Sequence, residues 1–510
     1  MDSMDSMDSI GWIGGQGLRS EIEEARLRHS KKTDAKKKSQ FGQFLTPSST
    51  ADFMAGLFPP SKGKCLLLDA GAGVGSLSVA FLDRWRGGGF AFDRVDLDAF
   101  EIDRSLHPAL SKILSKYADE SFRVNVHGDD FIFAASDSLR GGLFATKLPR
   151  YTHAILNPPY KKIASSSSHR LALRQIGLET VNLYSAFLAL AVAQAAPGGQ
   201  IVAIVPRSFC NGPYYRPFRE FILKRASIHQ MHLFDSRSQA FKDDAVLQEN
   251  VIIHLEREGR QGSVKITTST DDAFLDLKVA QHPFDQIVLP RDPELFIHIP
   301  TAPFGKELDF SASAGFTLAD LGINVSTGPV VDFRVKSHLR DLPDNSTVPL
   351  LYPCHFKGLR TCWPVEGVKK PNAIERNAQT EKWLYPNDWY CVVRRFSSKE
   401  ERRRIVASVV TPELFGDAAM LGFENHLNVI HRNKRGLSSQ IAYGLAIFLN
   451  SSVVDQWFRR FNGHTQVNAN DLKRMRFPAL GTLKDLGQWA MGHNSPTQSM
   501  VDEKLKEILS

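Results

Sequence analysis

A chain of 510 residues is too long for one hydrophobic core, so two or three domains are expected. The hydrophobic fraction of 42% and the charged fraction of 23% exclude a disordered or fibrous protein, and no apolar run is long enough for a transmembrane helix. The net charge of +8 favours a polyanionic partner.

The five cysteines contain no Cys-x-x-Cys pair, which argues against a disulfide framework and against a structural zinc site. We therefore predict that the protein holds no metal. The first residues lack the basic and apolar pattern of a secretory signal. We expect a cytoplasmic protein that does not contact membranes.

In chain order, residues 1–40 are polar and charged and predict a flexible basic leader. Between 41 and 260, apolar runs alternate with helical stretches, which is typical of a Rossmann-like α/β domain around a mostly parallel sheet. Helices are predicted at Leu77–Trp85 and Leu178–Ala196, the second ended by Pro197-Gly198-Gly199. The predicted strands are Cys65–Asp69, Phe90–Phe100, Phe122–His127, Tyr151–Leu156, Gln200–Pro206 and Asn250–Glu256.

The pattern changes in the second half of the chain. Residues 261–314 are of mixed character and interrupted by prolines, which predicts a linker or peripheral segment. Residues 315–510 combine short strands, prolines and aromatic side chains, which predicts an α+β module with a helix at Gln440–Phe458. Two of three basic clusters in the chain lie beside aromatic residues, which favours a nucleic-acid partner.

The strongest motif is the tetrapeptide Asn157-Pro158-Pro159-Tyr160 at the end of a predicted strand. The Asn157 side-chain oxygen and the Pro158 carbonyl can accept both N–H protons of an exocyclic amine, which localises its lone pair for attack on a methyl sulfonium. The prolines stiffen the loop, and Tyr160 can stack on an extruded base. The simpler interpretation is a proline turn with a packed tyrosine.

A glycine-rich turn follows the first predicted strand, where Asp69 precedes Gly71, Gly73 and Gly75. Glycines allow a sharp turn and a close approach of the backbone to a ligand. A carboxylate just before them suits the positive amino group of a methionine-like ligand better than a pyrophosphate.

Two further acidic positions follow the next two predicted strands. Glu101 can accept hydrogen bonds from the two hydroxyls of a ribose. In His127–Phe131, one of the two aspartates can accept from the amino group of an adenine while Phe131 stacks on its ring. Singly, each acidic residue would more often be a helix cap or a surface charge. Their order at successive strand ends predicts one cofactor site.

These motifs resemble the γ-class adenine-N6 DNA methyltransferases of bacterial restriction–modification systems. In that family a Thr-Pro motif comes first, then the glycine loop, the Asn-Pro-Pro-Tyr motif and a C-terminal target-recognition domain. Residues 43–47 (QFLTP) match the first motif, and the resemblance implies that Thr46 and Pro47 contact the methionine moiety of the cofactor. The similarity covers residues 41–260 closely and 315–480 more loosely.

The resemblance implies roles for the other motif residues. Asp69 and Gly71 match the loop that binds S-adenosylmethionine, Glu101 matches the ribose contact, and Asp130 with Phe131 matches the contact to the cofactor's adenine. Residues 241–251 (FKDDAVLQENV) are similar to the segment that lines the far side of the target base, which makes Phe241 a candidate stacking residue.

The resemblance also implies partners. The expected substrate is adenine in double-stranded DNA, read by a target-recognition domain at 315–510. Forty residues before the first motif cannot hold a nuclease, so any restriction endonuclease would be a separate protein, and a monomer is expected to suffice for methylation.

Three alternatives stay open. A protein-glutamine methyltransferase also uses an Asn-Pro-Pro-Tyr motif on an amide nitrogen, but the long C-terminal module and the Thr-Pro motif favour DNA. An RNA adenine methyltransferase would share the same chemistry. A catalytically inactive DNA-recognition module is disfavoured by the intact Asp69, Asn157 and Tyr160.

Overall fold

The computed structural model describes residues 21–24, 45–142, 145, 147–234, 249–290, 292–300, 315–397, 401–461, 466–493 and 496–509. The chain divides into two compact units, Met1–Pro303 and Phe304–Ser510. Within the described ranges, no helix is both long and apolar enough to cross a membrane.

The first unit is built on one nine-stranded sheet with the order β3-β2-β1-β4-β5-β7-β6-β8-β9. Five of its eight neighbouring pairs are parallel and three are antiparallel, which confirms the mostly parallel sheet. The strands are β1 Lys62–Ala70, β2 Ala91–Phe100, β3 Phe122–His127, β4 Tyr151–Leu156, β5 Ala195–Pro206, β6 Ala226–Phe234, β7 Asn250–Arg257, β8 Val264–Ser269 and β9 Lys278–His282.

The structure gives the bounds of eight α-helices in the first unit. They are α1 Ser48–Gly56, α2 Ser76–Arg84, α3 His107–Leu114, α4 Phe131–Arg140, α5 Ser168–Gln175, α6 Leu183–Gln194, α7 Arg216–Leu223 and α8 Phe284–Ile287. Hydrophobic clusters that include the helices pack on the sheet, so its central strands are buried and apolar along most of their length. The carboxyl ends of the parallel strands β1, β2, β3 and β4 therefore meet at one edge of the sheet.

Helix α6 begins five residues later than the predicted start at Leu178. The reason is a set of backbone hydrogen bonds between the segment before α6 and the segment after Tyr160. Ile163 N donates to Val181 O at 2.8 Å, and Leu183 N donates to Lys161 O at 2.8 Å. These bonds keep the segment before Leu183 extended, although its apolar spacing is helical. The predicted helix stop at 197–199 lies inside β5.

The described part of the predicted linker or peripheral segment 261–314 adds two strands to one end of the main sheet. Strand β8 pairs in parallel with β6, and β9 pairs antiparallel with β8, so both extend the main sheet. Val264 and Ile266 of β8 are buried in the core, which gives this stretch a packing partner that its proline-interrupted composition did not suggest.

The second unit contains two mixed sheets with the orders β10-β20-β17-β18-β14-β13 and β11-β15-β12-β19-β16. Its strands are β10 Asn324–Thr327, β11 Leu339–Arg340, β12 Thr347–Leu351, β13 Phe356–Lys357, β14 Arg360–Thr361, β15 Ala373–Glu375, β16 Tyr385–Pro386, β17 Tyr390–Arg394, β18 Ala407–Val410, β19 Met420–Phe423 and β20 Leu427–His431. Its helices are α9 Ser439–Leu449, α10 Ser452–Phe461, α11 Ala469–Arg474, α12 Leu480–Met491 and α13 Gln498–Leu509.

This unit is the α+β module that the sequence predicts. The single helix predicted at Gln440–Phe458 is two helices, because Asn450 ends α9 and Ser451 begins the next turn. Helices α9 and α12 pack backbone to backbone: a Cβ atom on Gly444 would lie 1.9 Å from Leu483 O. Only glycine fits at this contact.

Candidate active site

A cavity of about 390 Å³ opens in the first unit where the parallel strands end. The sequence-predicted residues that line it are Gly71, Gly73, Glu101, Asp130, Phe131 and Asn157. Leu45, Phe100 and Phe187 add apolar surface to its wall. The motifs that lie far apart in the chain thus meet around one space large enough for a small organic ligand.

The glycine turn ties β1 to β2 and approaches the Asn-Pro-Pro-Tyr loop. Gly71 N donates to Phe100 O at 2.8 Å, and Gly71 has a φ of +88°, a left-handed conformation that favours glycine. A Cβ atom on Gly71 would lie 3.5 Å from Asn157 O, which shows how close the two loops run. Gly73 N donates to Glu101 Oε2 at 2.8 Å.

Glu101 is buried at the end of β2 and lines the cavity. Its Oε1 accepts from Asp103 N at 2.7 Å, so both carboxylate oxygens hold backbone N–H groups. Burial raises the pKa of this carboxyl. A carboxylate offers about four acceptor positions, so acceptor capacity remains for hydroxyl groups of a ligand.

Asp69 is fully buried and is not part of the cavity wall. Its Oδ2 accepts from Ser78 Oγ at 2.6 Å, whereas its Oδ1 has no hydrogen-bond partner within the described part of the chain. Burial raises the pKa of Asp69 to about 7. A buried carboxylate oxygen without a partner can be compensated by a cationic group.

Asp130 caps a helix, which is the simpler of the two interpretations given for an acidic residue at this position. Its Oδ1 accepts from Ile132 N at 2.8 Å and caps α4, while its Oδ2 accepts from His169 Nε2 at 2.8 Å. Asp130 nevertheless lines the cavity beside Phe131, whose ring packs against Phe100 with centroids 5.2 Å apart.

His169 is a site residue that sequence reasoning missed. It lies on α5 and also lines the cavity, and Phe133 stacks on its ring at 4.8 Å. A single histidine in a polar helix carries no signal of its own, because its contact with Asp130 exists only in the folded chain. Lys161 and Lys162 line the same cavity, and no sequence pattern predicted them as site residues either.

The Asn157 side chain is 8% exposed and is held at both ends of its amide. Its Nδ2 donates to Thr46 Oγ1 at 2.9 Å, and its Oδ1 accepts from the Tyr160 hydroxyl at 3.2 Å. Thr46 is followed by Pro47, the residue before α1, whose carbonyl accepts from Ala51 N at 3.0 Å. The Thr-Pro motif and the Asn-Pro-Pro-Tyr motif are therefore in direct contact.

Tyr160 is partly buried and packs edge-to-face on Tyr184, with ring centroids 6.2 Å apart. Its hydroxyl also lies 3.4 Å from Ile204 O. Burial raises the pKa of this phenol above its ordinary value, so the hydroxyl remains a neutral donor. The other predicted stacking residue, Phe241, lies outside the described residues. Among the described residues, no group of three or more His, Cys, Asp or Glu is arranged to hold a metal ion.

Comparison with known proteins identifies the family. A family model described as Eco57I restriction-modification methylase matches residues 146–241. The type II methyltransferase M.BsuBI of Bacillus subtilis is 53% identical over 479 residues, which are 93% of this chain and 95% of that protein. M.PstI of Providencia stuartii, another type II methyltransferase, is 40% identical over 496 residues, with 96% of each protein covered.

Among solved structures, the type IIL restriction-modification enzyme MmeI in complex with DNA aligns with 96% of this chain and 73% of that chain. The TM-score is 0.52 at 11% sequence identity, so this match shows a shared fold only.

The family and the fold make S-adenosylmethionine the cofactor of this chain. The site fits it: Phe100, Phe131, Phe187 and Glu101 line the cavity, and a buried oxygen of Asp69 has no hydrogen-bond partner among the described residues. Two relatives above 30% identity span nearly the whole chain, which is stronger evidence than any single motif. The chain therefore belongs to the type II methyltransferases, the DNA methyltransferases of restriction–modification systems.

Proposed function

We propose that this protein methylates the N6 amino group of adenine in double-stranded DNA. The observation that carries the proposal is Asn157, which lines the cavity at the carboxyl end of β4 and whose side-chain amide is held at both ends. A side-chain carbonyl held in this way is preorganised to accept a hydrogen bond from an incoming amine.

The chemistry follows from the nature of the amine. The lone pair of an exocyclic amino group is delocalised into the purine ring, which makes the nitrogen a poor nucleophile. Acceptance of its two N–H protons by Asn157 Oδ1 and the Pro158 carbonyl favours a tetrahedral nitrogen with a localised lone pair. S-adenosylmethionine supplies the electrophilic methyl group.

Tyr160 has two proposed functions in this site. Its ring provides a stacking surface for an adenine that has left the duplex, and its edge-to-face contact with Tyr184 fixes the plane of that ring. Its hydroxyl satisfies Asn157 Oδ1 until the target amine arrives. Phe241 is the proposed second stacking residue on the far side of the base.

The proposed cofactor contacts retain the assignments made from the motifs. Glu101 binds the ribose hydroxyls, Asp130 accepts from the cofactor's adenine amine, and Phe131 packs on the adenine ring. Thr46, Pro47 and the backbone at Gly71 and Gly73 surround the methionine moiety, whose amino group pairs with Asp69. His169 holds Asp130 in place through its hydrogen bond.

The decisive test is to incubate the purified protein with labelled S-adenosylmethionine and unmethylated genomic DNA, and then to identify the methylated nucleoside and its sequence context. N6-methyladenine at one recurrent short sequence is the expected result. N4-methylcytosine would contradict the adenine assignment, since cytosine also carries an exocyclic amine. Label in RNA or protein but not in DNA would contradict the substrate itself.

We further propose that residues 315–510 read the recognised sequence, that the protein methylates as a monomer, and that any cognate endonuclease is a separate chain. The second unit supplies mixed sheets whose connecting loops can vary without changing the scaffold. Exchange of this segment with the corresponding segment of a relative should change the methylated sequence and leave the modified atom unchanged.

A pair of Tyr160 variants separates its two proposed functions. Tyr160→Phe removes the hydroxyl and keeps the ring, so we expect kcat to change by less than about tenfold, the worth of one neutral hydrogen bond. Tyr160→Ala removes the stacking surface, which is worth about 1–3 kcal/mol per base, so we expect a loss of about 10- to 100-fold in affinity for target DNA. Both are measured by single-turnover kinetics and DNA titration, and equal losses in the two variants would contradict a stacking function.

A further inference from the structure

We propose that Thr46 is a positioning residue, which holds the catalytic amide of Asn157 in the orientation that methyl transfer needs. This inference rests on the proposed function, because it assigns Thr46 a function through Asn157. The contact that carries it is the 2.9 Å hydrogen bond from Asn157 Nδ2 to Thr46 Oγ1, which joins residues 111 positions apart.

An asparagine amide needs such a partner. Its terminal torsion has a broad, roughly two-fold preference, so the side chain alone does not fix where its oxygen points. The nitrogen end can only donate and the oxygen end can only accept. Thr46 Oγ1 takes a proton of the nitrogen end, and this leaves the oxygen end to face the Tyr160 hydroxyl.

Burial and a packed neighbouring helix hold Thr46 in place. Its side chain is 4% exposed, and the next residue, Pro47, is the N-cap of α1. Ala51 and Met54 anchor α1 in the core, and Phe53 stacks on Phe274 with ring centroids 4.1 Å apart. The hydroxyl that accepts from Asn157 therefore lies directly before a helix that packs in the core, which suits a positioning function.

A hydrogen bond of this kind is expected to affect the chemical step more than binding. The Asn157 amide contacts the target amine in the reaction, and a small misplacement of a reacting group costs about 100-fold in rate. Loss of the Thr46 hydroxyl should therefore lower kcat by about 10- to 100-fold. The Kd for S-adenosylhomocysteine should remain within about threefold of the parent value, because the substitution leaves the Thr46 backbone and Pro47 available to the methionine moiety. A general effect on folding or on the cavity would change both kcat and Kd.

The experiment compares Thr46→Val, Thr46→Ala and Thr46→Ser in single-turnover methylation of DNA and in calorimetric titration with S-adenosylhomocysteine. Thr46→Val and Thr46→Ala remove the acceptor, and Thr46→Ser keeps it. We expect the serine variant to restore kcat to within about threefold of the parent, because the same oxygen remains available. Two non-polar variants are used in case one of them does not fold. A variant that does not fold will fail to bind S-adenosylhomocysteine in the titration.

Thr50 provides a matched control. It lies on α1 one turn after Thr46, it is fully buried, and its hydroxyl has no hydrogen-bond partner in the part of the chain that the structure describes. Thr50→Val makes the same chemical change within the helix that follows Thr46. This variant should leave both kcat and cofactor affinity unchanged.

Two outcomes would overturn the inference. An unchanged kcat at saturating cofactor, with a raised cofactor Kd in Thr46→Val, would show that Thr46 only binds the cofactor. A loss in Thr46→Ser and Thr46→Ala with a fully active Thr46→Val would show that the methyl group of threonine, and not the hydroxyl, is what matters. If Asn157→Ala retains full activity, the proposed function fails, whereas an inactive Asn157→Ala with a fully active Thr46→Val contradicts only this inference.

Discussion

Replacement of Asn157 by alanine is expected to lower kcat by at least about 100- to 1000-fold, the cost of removing one preorganised polar group from a reaction centre. The alanine side chain cannot accept a proton of the target amine, so the lone pair of that nitrogen stays delocalised. Cofactor affinity should remain close to the parent value, because the proposed cofactor contacts lie on Glu101, Asp130 and the glycine turn rather than on Asn157. Single-turnover transfer of labelled methyl groups measures the first quantity, and calorimetry measures the second.

Asn125→Ala is a suitable control for this variant. Asn125 lies on β3 in the same sheet, is exposed, and donates to Asp98 at 3.0 Å, away from the residues that line the cavity. It should methylate DNA at the parent rate. Turnover of Asn157→Ala at a parent-like rate would rule out the proposed mechanism.

Asp69→Asn is expected to stabilise the first unit at alkaline pH and to weaken cofactor binding. Burial raises the pKa of Asp69 to about 7 from an ordinary value of 3.8. Each unit of pKa corresponds to about 1.4 kcal/mol, so ionisation of this carboxyl in the folded state costs on the order of 4 kcal/mol at pH 8. An asparagine keeps an oxygen for Ser78 Oγ and carries no charge.

The direction of the pH effect follows from which state holds the proton. Between pH 4 and pH 7 the folded chain keeps the Asp69 proton that the unfolded chain has lost. The free energy of unfolding contributed by this group is therefore fully present below about pH 4 and falls as the pH rises towards 7. In Asp69→Asn this decline is absent, so the difference in unfolding temperature between variant and parent should widen from pH 5 to pH 8.

Rising pH should strengthen cofactor binding while it lowers the stability of the parent. We propose that the ionised Asp69 attracts the amino group of the cofactor, so parent affinity for S-adenosylhomocysteine should rise with pH through about 7, and Asp69→Asn should lose about tenfold or more of it. Calorimetry and thermal unfolding at pH 6 and pH 8 test both expectations. Asp93→Asn, which removes an exposed carboxylate from β2, should change neither. Unaltered affinity in Asp69→Asn would remove Asp69 from the cofactor site.

The sequence predicted the part of the fold that depends on local pattern. Strands β3 and β4 have the predicted bounds, because a buried parallel strand is a short apolar run that turn residues delimit on both sides. The motif residues at the ends of these strands meet because the carboxyl ends of parallel strands share one edge. Fold class, family and cofactor could therefore be predicted before the structure.

The rest depended on contacts between distant residues. The hydrogen bond between Thr46 and Asn157, and the one between Asp130 and His169, leave no trace in spacing or composition. The position of Asp69 inside the protein rather than on the cavity wall is likewise a matter of packing. Helix α6 begins late because a neighbouring segment binds the backbone before it, which overrides its helical spacing.

The stacked rings of Phe53 and Phe274 set a lower limit on any minimal catalytic fragment of this enzyme. Phe274 lies after β8, beyond residue 260, where composition alone would end the catalytic domain. Truncation at that point would uncover the Phe53 face of α1 and loosen the helix that carries Thr46. Split enzymes and fusion proteins built from this family should retain the chain through β9, since the connection between β8 and β9 carries Phe274, which packs on α1.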